Sequence, residues 1–135
     1  MKTFSLKIIS QERELLDKPV QSLSVPGEDG ELTILANHAA LLSRLQMGEL
    51  KYIANGVETS MVISRGFLSC SHENEVLVIA DTAIEARELS VKKAQEAIEA
   101  AKKQILSSNK LEEQIQAEAS LRLAMIELKV AKRSL

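Results

Sequence analysis

The stretch VLVIADTAIEARELSVKKAQEA, residues 76–97, decides the fold because its residue pattern changes along its length. It begins as an alternating apolar run that puts Val76, Val78 and Ala80 on one face of a strand. It ends in Ala, Lys and Glu, which favour helix, whereas Val and Ile favour strands. We therefore predict an α+β chain whose two parts meet near Asp81.

The composition of the whole chain changes at the same point. All five glycines and both prolines lie at or before Gly66, and six of the eight valines lie before residue 83. Ten of the fifteen alanines lie from Ala83 onward. Turn and strand residues therefore belong to the first part and helix-forming residues to the second. This predicts a β domain over residues 1–82 and a helical domain over residues 83–135.

The first part shows the two-residue period of strands. Phe4, Leu6 and Ile8 alternate with polar residues, and Asn55-Gly56 separates two strand-like runs, which is a strong hairpin signal. Apolar residues are too frequent on both faces for one sheet with a solvated side. We predict an N-terminal antiparallel β-sandwich. Further turns are predicted at Pro26-Gly27, Asp29-Gly30 and Glu73-Asn74.

The second part predicts an antiparallel two-helix hairpin, with Ser90 as an N-cap and a break at SSNK, residues 107–110. Each helix carries one apolar stripe with 3-4-3-4 spacing. Alternate stripe positions are alanine, which buries little apolar area, so we expect a hairpin that is weakly held and able to move. The two stripes are Val91, Ala94, Ile98, Ala101 and Ile105, and Leu121, Ala124, Leu128, Ala131 and Leu135.

The net charge argues against one class of function and differs between the two parts of the chain. The formal net charge is -2 and the sequence pI is about 5.8, which argues against a nucleic-acid-binding protein. Residues 1–82 carry seven basic against eleven acidic residues, a net of -4, and residues 83–135 carry ten against eight, a net of +2. Either the basic helices form a solvated face with mixed charges, or they meet an acidic partner.

No catalytic or metal-binding motif occurs. The glycines stand singly, the string G-x-S-x-G is absent, and His38 and His72 have no metal-ligand spacing. We expect no enzyme activity, no metal and no cofactor. Cys70 is the sole cysteine, so no internal disulfide is possible and a reducing compartment is expected. It is interpreted as a small buried hydrophobe, with a reactive thiol as the alternative.

No membrane segment is predicted. The N-terminal run MKTFSLKIIS alternates and lacks the apolar core of a signal peptide, and no window reaches the ~18 apolar residues of a spanning helix. Any association with a membrane is expected to be indirect, through partners.

Three segments resemble the ε subunit of bacterial F-type ATP synthases. GELTILANHAALL, residues 30–42, is similar to the signature G-E-L-G-I-x-x-G-H-A-P-L-L of that family. SRGFLS, residues 64–69, resembles its Gly-Gly-Phe or Gly-Gly-Ile turn, and VLVIADTAIEARELS, residues 76–90, resembles its junction between sandwich and helices. The resemblance covers the whole chain in order. Asn37 and Ala40 replace the Gly and Pro of the signature, which concerns only the backbone freedom of that loop.

The resemblance implies a non-catalytic rotor subunit. In this family the sandwich sits at the foot of the central stalk and links the γ subunit to the c-ring. The helices fold against the sandwich or extend into the catalytic hexamer of α and β subunits and inhibit ATP hydrolysis. The implied location is peripheral, on the cytoplasmic face of the bacterial inner membrane. The alternative is a general adaptor of another complex, in which a β-sandwich presents a helical hairpin.

The resemblance also assigns contacts. His38 is implied to be a contact residue rather than a catalyst, with a histidine satisfied by local hydrogen bonds as the alternative. An acidic loop of the catalytic β subunit is the implied partner of the basic helices. The implied c-ring contacts are Glu28, Asp29, Gly30, Glu31 and His38, and the γ contacts are Leu41, Leu42 and Ser43. The implied β-subunit contacts are Lys102, Lys103, Lys110, Arg122, Lys129, Lys132 and Arg133.

Some members of the family bind ATP between the helices through a motif I/L-D-x-x-R-A. Here LSVKKA, residues 89–94, keeps Leu89 and Ala94 but has Ser90 for the acid and Lys93 for the arginine. The arginines expected on the second helix are replaced by Leu123 and Glu127. Because bidentate arginines are missing, we expect weak or absent ATP binding by the isolated chain.

Overall fold

The computed structural model describes residues 2–133, which divide into two compact units at the boundary between Glu85 and Ala86. The first unit holds ten strands. These are β1 (Phe4–Ser10), β2 (Glu14–Val20), β3 (Ser22–Gly27), β4 (Gly30–Leu35), β5 (Leu41–Leu45), β6 (Gly48–Ala54), β7 (Val57–Ile63), β8 (Gly66–Cys70), β9 (Glu75–Ala80) and β10 (Ala83–Glu85).

The strands form two layers around one aliphatic core. One layer has the order β10-β7-β6-β3, with β4 paired to β3, and the other has the order β5-β8-β9-β1-β2. The single pair Gly27–Leu45 joins them. Alternate residues of both layers enter the same core, including Leu23 and Leu50 from one layer and Leu6 and Leu68 from the other. The predicted sandwich is therefore confirmed, with the excess of apolar residues explained by two inward faces.

One strand pair departs from the predicted antiparallel arrangement. β1 pairs with β2 in antiparallel orientation, but it pairs with β9 in parallel, from Ser5 opposite Glu75 to Ser10 opposite Ala80. A parallel pair requires a long crossover, and residues 11–74 supply it by building the rest of the sandwich. The description of the sandwich as wholly antiparallel is thus wrong at this pair.

The hairpin predicted at Asn55-Gly56 is confirmed. Ala54 pairs with Val57, and Asn55 and Gly56 form a two-residue turn with φ of 52° and 76°. Positive φ at both positions matches the twist of the flanking strands, which is why Asn-Gly suits this connection. The turn predicted at Glu73-Asn74 likewise connects β8 to β9.

The second unit contains a short 3₁₀ turn (Ala86–Glu88) and two helices, α1 (Val91–Ser107) and α2 (Leu111–Arg133). Ser90 is extended and its hydroxyl accepts a hydrogen bond from the Lys93 N–H at 3.2 Å, which confirms the N-cap. Residues 108–110 join the helices, which pack together in antiparallel orientation.

The buried residues of the two helices are five alanines and Val130, while the larger stripe residues are half-buried. This confirms the predicted composition of the seam. Leu135 of the predicted stripe lies outside the described residues. The buried alanines are Ala94, Ala101, Ala117, Ala124 and Ala131.

The boundary between the units lies three residues beyond the predicted position. Ala83–Glu85 continue the sheet as β10, which pairs with β7 through Ala83 opposite Ile63 and Glu85 opposite Met61. The first unit therefore ends at Glu85 rather than residue 82. β10 has only three residues, which is too few for its apolar period to distinguish a strand from a helix in the sequence.

Candidate interaction surfaces

An apolar row crosses four strands on the outside of the sandwich. Phe67 of β8 lies opposite Arg44 of β5 and Ile79 of β9, and Ile79 lies opposite Ile9 of β1. Phe67 is 51% exposed and Ile79 is 47% exposed. Residues that lie directly opposite each other share a face, so this row is continuous.

A second row lies beside the first. It runs from Leu42 of β5, 75% exposed, through Ser69 and Leu77 to Lys7 of β1. A shallow polar cavity of about 420 Å³ borders it, lined in part by Lys7, Ser69 and Leu77. We call the exposed residues Leu42, Phe67 and Ile79, together with the half-buried Leu77 and Ile9, the outer patch. Its apolar centre and polar margin are typical of a protein–protein contact surface.

The predicted γ contacts do not all lie on the outer patch. Leu42 does, but successive residues of a strand point to opposite faces, so Leu41 and Ser43 point inward. Leu41 packs against the core. The γ contacts at Leu41, Leu42 and Ser43 stay a prediction, of which only Leu42 lies on the outer patch. Phe67, Leu77, Ile79 and Ile9 were not predicted as contact residues, because only the pairing of β8, β9 and β1 brings them together on one surface.

His38 lies in the loop of residues 36–40, between β4 and β5. Its backbone N–H donates to the Leu35 carbonyl oxygen at 3.2 Å, and its Nδ1 lies 2.8 Å from the Ala39 carbonyl oxygen. The ring is half-buried. These local hydrogen bonds orient the imidazole without any second titratable group, so the geometry does not provide a catalytic site.

Two asparagines hold this loop against the β8–β9 turn. The Asn37 N–H donates to Asn74 Oδ1 at 2.6 Å, and Asn74 Nδ2 donates to Asn37 Oδ1 at 2.9 Å. Both residues have positive φ, 67° and 59°, which asparagine tolerates better than most residues. The carbonyl oxygen of Asn74 also accepts from the Ser5 N–H at 2.9 Å. The Asn37 that replaces the family glycine is therefore a structural contact of this loop.

Replacing Asn74 by Ala is expected to destabilise the fold by about 2 kcal/mol, because it removes two hydrogen bonds and puts a Cβ-bearing residue without a polar side chain at positive φ. Asn74→Gly removes the same hydrogen bonds but tolerates the backbone conformation, so about 1 kcal/mol is expected. Urea unfolding followed by circular dichroism measures both. Equal values for wild type and Asn74→Gly would show that the amide pair contributes nothing.

The acidic turn lies at the other end of β4 from His38. Gly27 pairs with Gly30, so Glu28 and Asp29 form the turn of the β3–β4 hairpin, and Glu31 follows within β4. All three acidic side chains are exposed. β4 runs from Gly30 to Leu35 before the His38 loop begins, a separation of roughly 17 Å for an extended strand. The predicted c-ring contacts therefore lie at the two ends of β4, the acidic residues at its start and His38 beyond its end.

An ion pair between Arg65 and Asp81 lies at the end of the sandwich that carries the acidic turn. Arg65 Nε donates to Asp81 Oδ2 at 2.9 Å, and the backbone N–H of Asp81 donates to the Arg65 carbonyl oxygen at 2.9 Å. The Glu28 N–H donates to the Arg44 carbonyl oxygen at 3.0 Å, which anchors the turn to β5. The turn is thus a fixed, solvated set of carboxylates that a polar or basic loop could contact.

Three of the predicted basic contacts line one groove of the hairpin. Lys102 of α1 and Lys129 and Lys132 of α2 surround a cavity of about 700 Å³. We call this the hairpin groove. Its remaining lining residues within the described part of the chain are Gln95, Ile98, Glu99, Met125 and Leu128, of which Glu99 is acidic. Lys103, Lys110, Arg122 and Arg133 do not line it.

The positions corresponding to a nucleotide site lie elsewhere on the hairpin. Ala94 is buried in the helix seam, and the Ser90 hydroxyl caps α1. On α2, Leu123 and Glu127 are half-buried, and burial raises the pKa of the Glu127 carboxyl. When ionised, this carboxylate would repel phosphate, which is consistent with the prediction of weak or absent ATP binding.

Cys70 is buried at the end of β8, and burial raises the pKa of its thiol. A raised pKa disfavours the thiolate, so this cysteine is a core residue, as predicted. Within residues 2–133, no three His, Cys, Asp or Glu side chains are grouped as metal ligands. The helices described there are too short or too polar to cross a bilayer.

Comparison with known proteins gives consistent matches. Residues 3–86 match the family described as ATP synthase, Delta/Epsilon chain, beta-sandwich domain. The chain is similar to the ATP synthase epsilon chain of Herpetosiphon aurantiacus, with 38% identity over 127 residues, 94% of this chain and 93% of the relative. It is 37% identical over 132 residues to that of Symbiobacterium thermophilum, covering 97% and 94% of the two chains.

Solved structures show the same fold. A chain in the Euglena gracilis mitochondrial ATP synthase, described as OSCP/F1/c-ring, is 25% identical with a TM-score of 0.83, covering 96% of this chain and 81% of that one. A chain in the Tetrahymena thermophila mitochondrial ATP synthase, described as central stalk/c-ring, shares the fold, with 15% identity and a TM-score of 0.70 over 96% and 97% of the chains.

Proposed function

The chain belongs to the family of ATP synthase epsilon chains, and from this we propose that it links the γ subunit to the c-ring in the central stalk and inhibits ATP hydrolysis through its two helices. The observation that carries this proposal is the match to epsilon chains over both units, at 94% or more of this chain in the two relatives named above. Membership in this family favours the rotor role over the alternative of a general adaptor.

We assign the γ contact to the outer patch. Four of its five residues lie on adjacent strands β5, β8 and β9, which form a rigid surface whose side chains require little ordering on binding. Phe67 is its only aromatic residue, and aromatic residues are frequent hot spots of protein interfaces. Arg44 lies at the margin of the patch, where it can pair with an acidic group of the partner.

We assign the c-ring contact to the acidic turn, Glu28, Asp29, Gly30 and Glu31. The turn is exposed and anchored by backbone hydrogen bonds, so it presents its carboxylates at a fixed position. His38 is not included in this contact, because β4 separates it from the turn. The chain thereby reaches the membrane only indirectly, and we place it at the cytoplasmic face of the bacterial inner membrane.

The hairpin groove is the candidate inhibitory surface. Its three lysines and one glutamate favour an acidic partner, as expected for a loop of the β subunit, and Ile98, Met125 and Leu128 add apolar contact area. The small seam of alanines leaves the hairpin with little buried area to resist rearrangement. No step of catalysis is assigned to this chain; its role is to bind and to regulate.

Phe67→Glu tests the γ contact. We expect about a 30-fold weaker affinity for the cognate γ subunit, equivalent to roughly 2 kcal/mol for the loss of an aromatic hot spot and the burial of a charge. The side chain is half exposed, so the isolated chain should keep its thermal stability within about 0.5 kcal/mol. Surface plasmon resonance against immobilised γ subunit measures the affinity.

The matched control is Val57→Glu, which changes another exposed apolar residue of the sandwich that lies on β7, outside the outer patch. It should bind as wild type does. Equal affinities of wild type and Phe67→Glu would reject the outer patch as the γ contact. Equal losses in both variants would point to a general effect of charge.

A further inference from the structure

The Asn55-Gly56 turn is built like a site of spontaneous modification. Both residues are exposed at the tip of the β6–β7 hairpin. A Cβ placed on Gly56 would meet nothing within 4 Å, so the space beside the Gly56 Cα is open. In an Asn-Gly pair this nitrogen is the nucleophile that attacks the asparagine side-chain amide.

One hydrogen bond occupies that nitrogen. The Gly56 N–H donates to Gln21 Oε1 at 2.7 Å. The backbone of Gln21 is itself fixed, because its N–H donates to the Ile53 carbonyl oxygen. Gln21 thus connects the start of β3 to the tip of the hairpin and places an acceptor against the one proton that must be lost before attack.

We propose that Asn55 is a deamidation site and that Gln21 limits its rate by holding the Gly56 N–H. In the reaction, the Gly56 nitrogen loses its proton and bonds to Asn55 Cγ, and Nδ2 leaves as ammonia. Water then opens the resulting succinimide at either carbonyl and gives aspartate or isoaspartate. The net change is the consumption of one water and the release of one ammonia.

The effect of Gln21 follows from electrostatics. An acceptor that binds the neutral N–H stabilises the protonated form and disfavours the anion that attacks. The carbonyl dipole of Gln21 would also face that anion at short range. Losing a hydrogen bond of about 1 kcal/mol corresponds to roughly a fivefold faster reaction.

The product would change the surroundings of the turn. Asn55 lines a cavity of about 490 Å³ together with Gln21 and Lys18, and the Lys18 ammonium lies 5.6 Å from the centre of the Tyr52 ring. A carboxylate at position 55 adds a negative charge beside this lysine. Isoaspartate also lengthens the backbone by one carbon. The two-residue turn is bounded by the pairing of Ala54 with Val57, so the longer backbone would disturb this strand pair.

The test compares the full chain with Gln21→Met and Gln21→Glu. The Met side chain has a similar length without a strong acceptor, whereas Glu keeps an acceptor and adds a charge that further disfavours the anion. The purified proteins are held at mildly alkaline pH, and isoaspartate at position 55 is followed by peptide mapping and mass spectrometry. Asn37-His38 and Asn74-Glu75 in the same digest are internal references.

We expect Gln21→Met to form isoaspartate at position 55 about fivefold faster than wild type and Gln21→Glu to form it no faster than wild type. Equal rates in wild type and Gln21→Met would overturn the role of Gln21. Reaction of the unfolded chain at position 55 but of no folded variant would overturn the site itself. Circular dichroism tests whether each variant is folded. If Gln21→Met does not fold, the comparison rests on Gln21→Glu, and a faster reaction in Gln21→Glu than in wild type overturns the proposal.

Discussion

A chain that ends at Glu85 will bind the cognate complex of α, β and γ subunits about as tightly as the full chain, and it will leave ATP hydrolysis uninhibited. The reason is the division of the molecule into two units, of which the first contains the outer patch and the complete hydrophobic core of the sandwich. Binding and inhibition should separate at the boundary between Glu85 and Ala86. Steady-state hydrolysis and co-sedimentation with the complex measure the two properties.

A full-length variant tests the same inhibitory role of the helices without removing any residues. Reversing the three charges of the hairpin groove, Lys102→Glu, Lys129→Glu and Lys132→Glu, should weaken inhibition by roughly five- to tenfold, since each exposed pair is worth up to about 1 kcal/mol. The matched control reverses Lys2, Lys92 and Lys93, which are exposed, lie outside the groove and are not among the predicted β-subunit contacts. Inhibition by the chain ending at Glu85 would show that the helices are not the inhibitor.

Gly66→Ala will destabilise the sandwich by at least about 3 kcal/mol. A Cβ at this position would overlap the Ile79 carbonyl oxygen and lie 2.8 Å from its carbon and 2.9 Å from the Ala80 Cα. These are backbone atoms of the paired strand, so no side chain can move aside. The whole β8–β9 pairing would have to shift, and Phe67 and Ile79 of the outer patch with it. Urea unfolding and γ binding should therefore both be impaired.

Two controls separate this clash from other effects. Gly56→Ala meets nothing within 4 Å but has φ of 76°, so only the cost of positive φ, about 1 kcal/mol, is expected. Ser69→Ala is an exposed change on the same strand and should be close to neutral. If Gly66→Ala unfolds at the same urea concentration as Ser69→Ala, the close approach of β8 and β9 is not what requires glycine here.

Short sequence patterns correctly predicted those features of the fold that depend on residues adjacent in the sequence. The alternation of Phe4, Leu6 and Ile8 placed all three in the core, the Asn55-Gly56 dipeptide gave the hairpin, and Ser90 gave the N-cap. Each of these is determined by the chemistry of a few adjacent residues. Membership in the epsilon family was likewise predicted from short segments whose order spans the chain.

Features that depend on distant pairing could not be predicted in this way. No local signal shows that β1 lies beside β9, or that Phe67 and Ile79 form one row with Arg44. The inward direction of Leu41 follows from the parity of β5, which its five residues alone do not fix. His38 and the acidic turn are close in sequence, but the extended strand between them keeps them apart. The candidate site was therefore predicted only in part.

The parallel pair of β1 and β9 also sets an order for synthesis. A ribosome makes Phe4–Ser10 first, yet the strand that flanks it appears only after residues 11–74 have emerged. Until then, one edge of β1 has no partner and is open to mispairing with other chains. Helices α1 and α2, by contrast, are adjacent in sequence and form contacts of low contact order. The nascent sandwich therefore closes late, just before the helical hairpin leaves the ribosome.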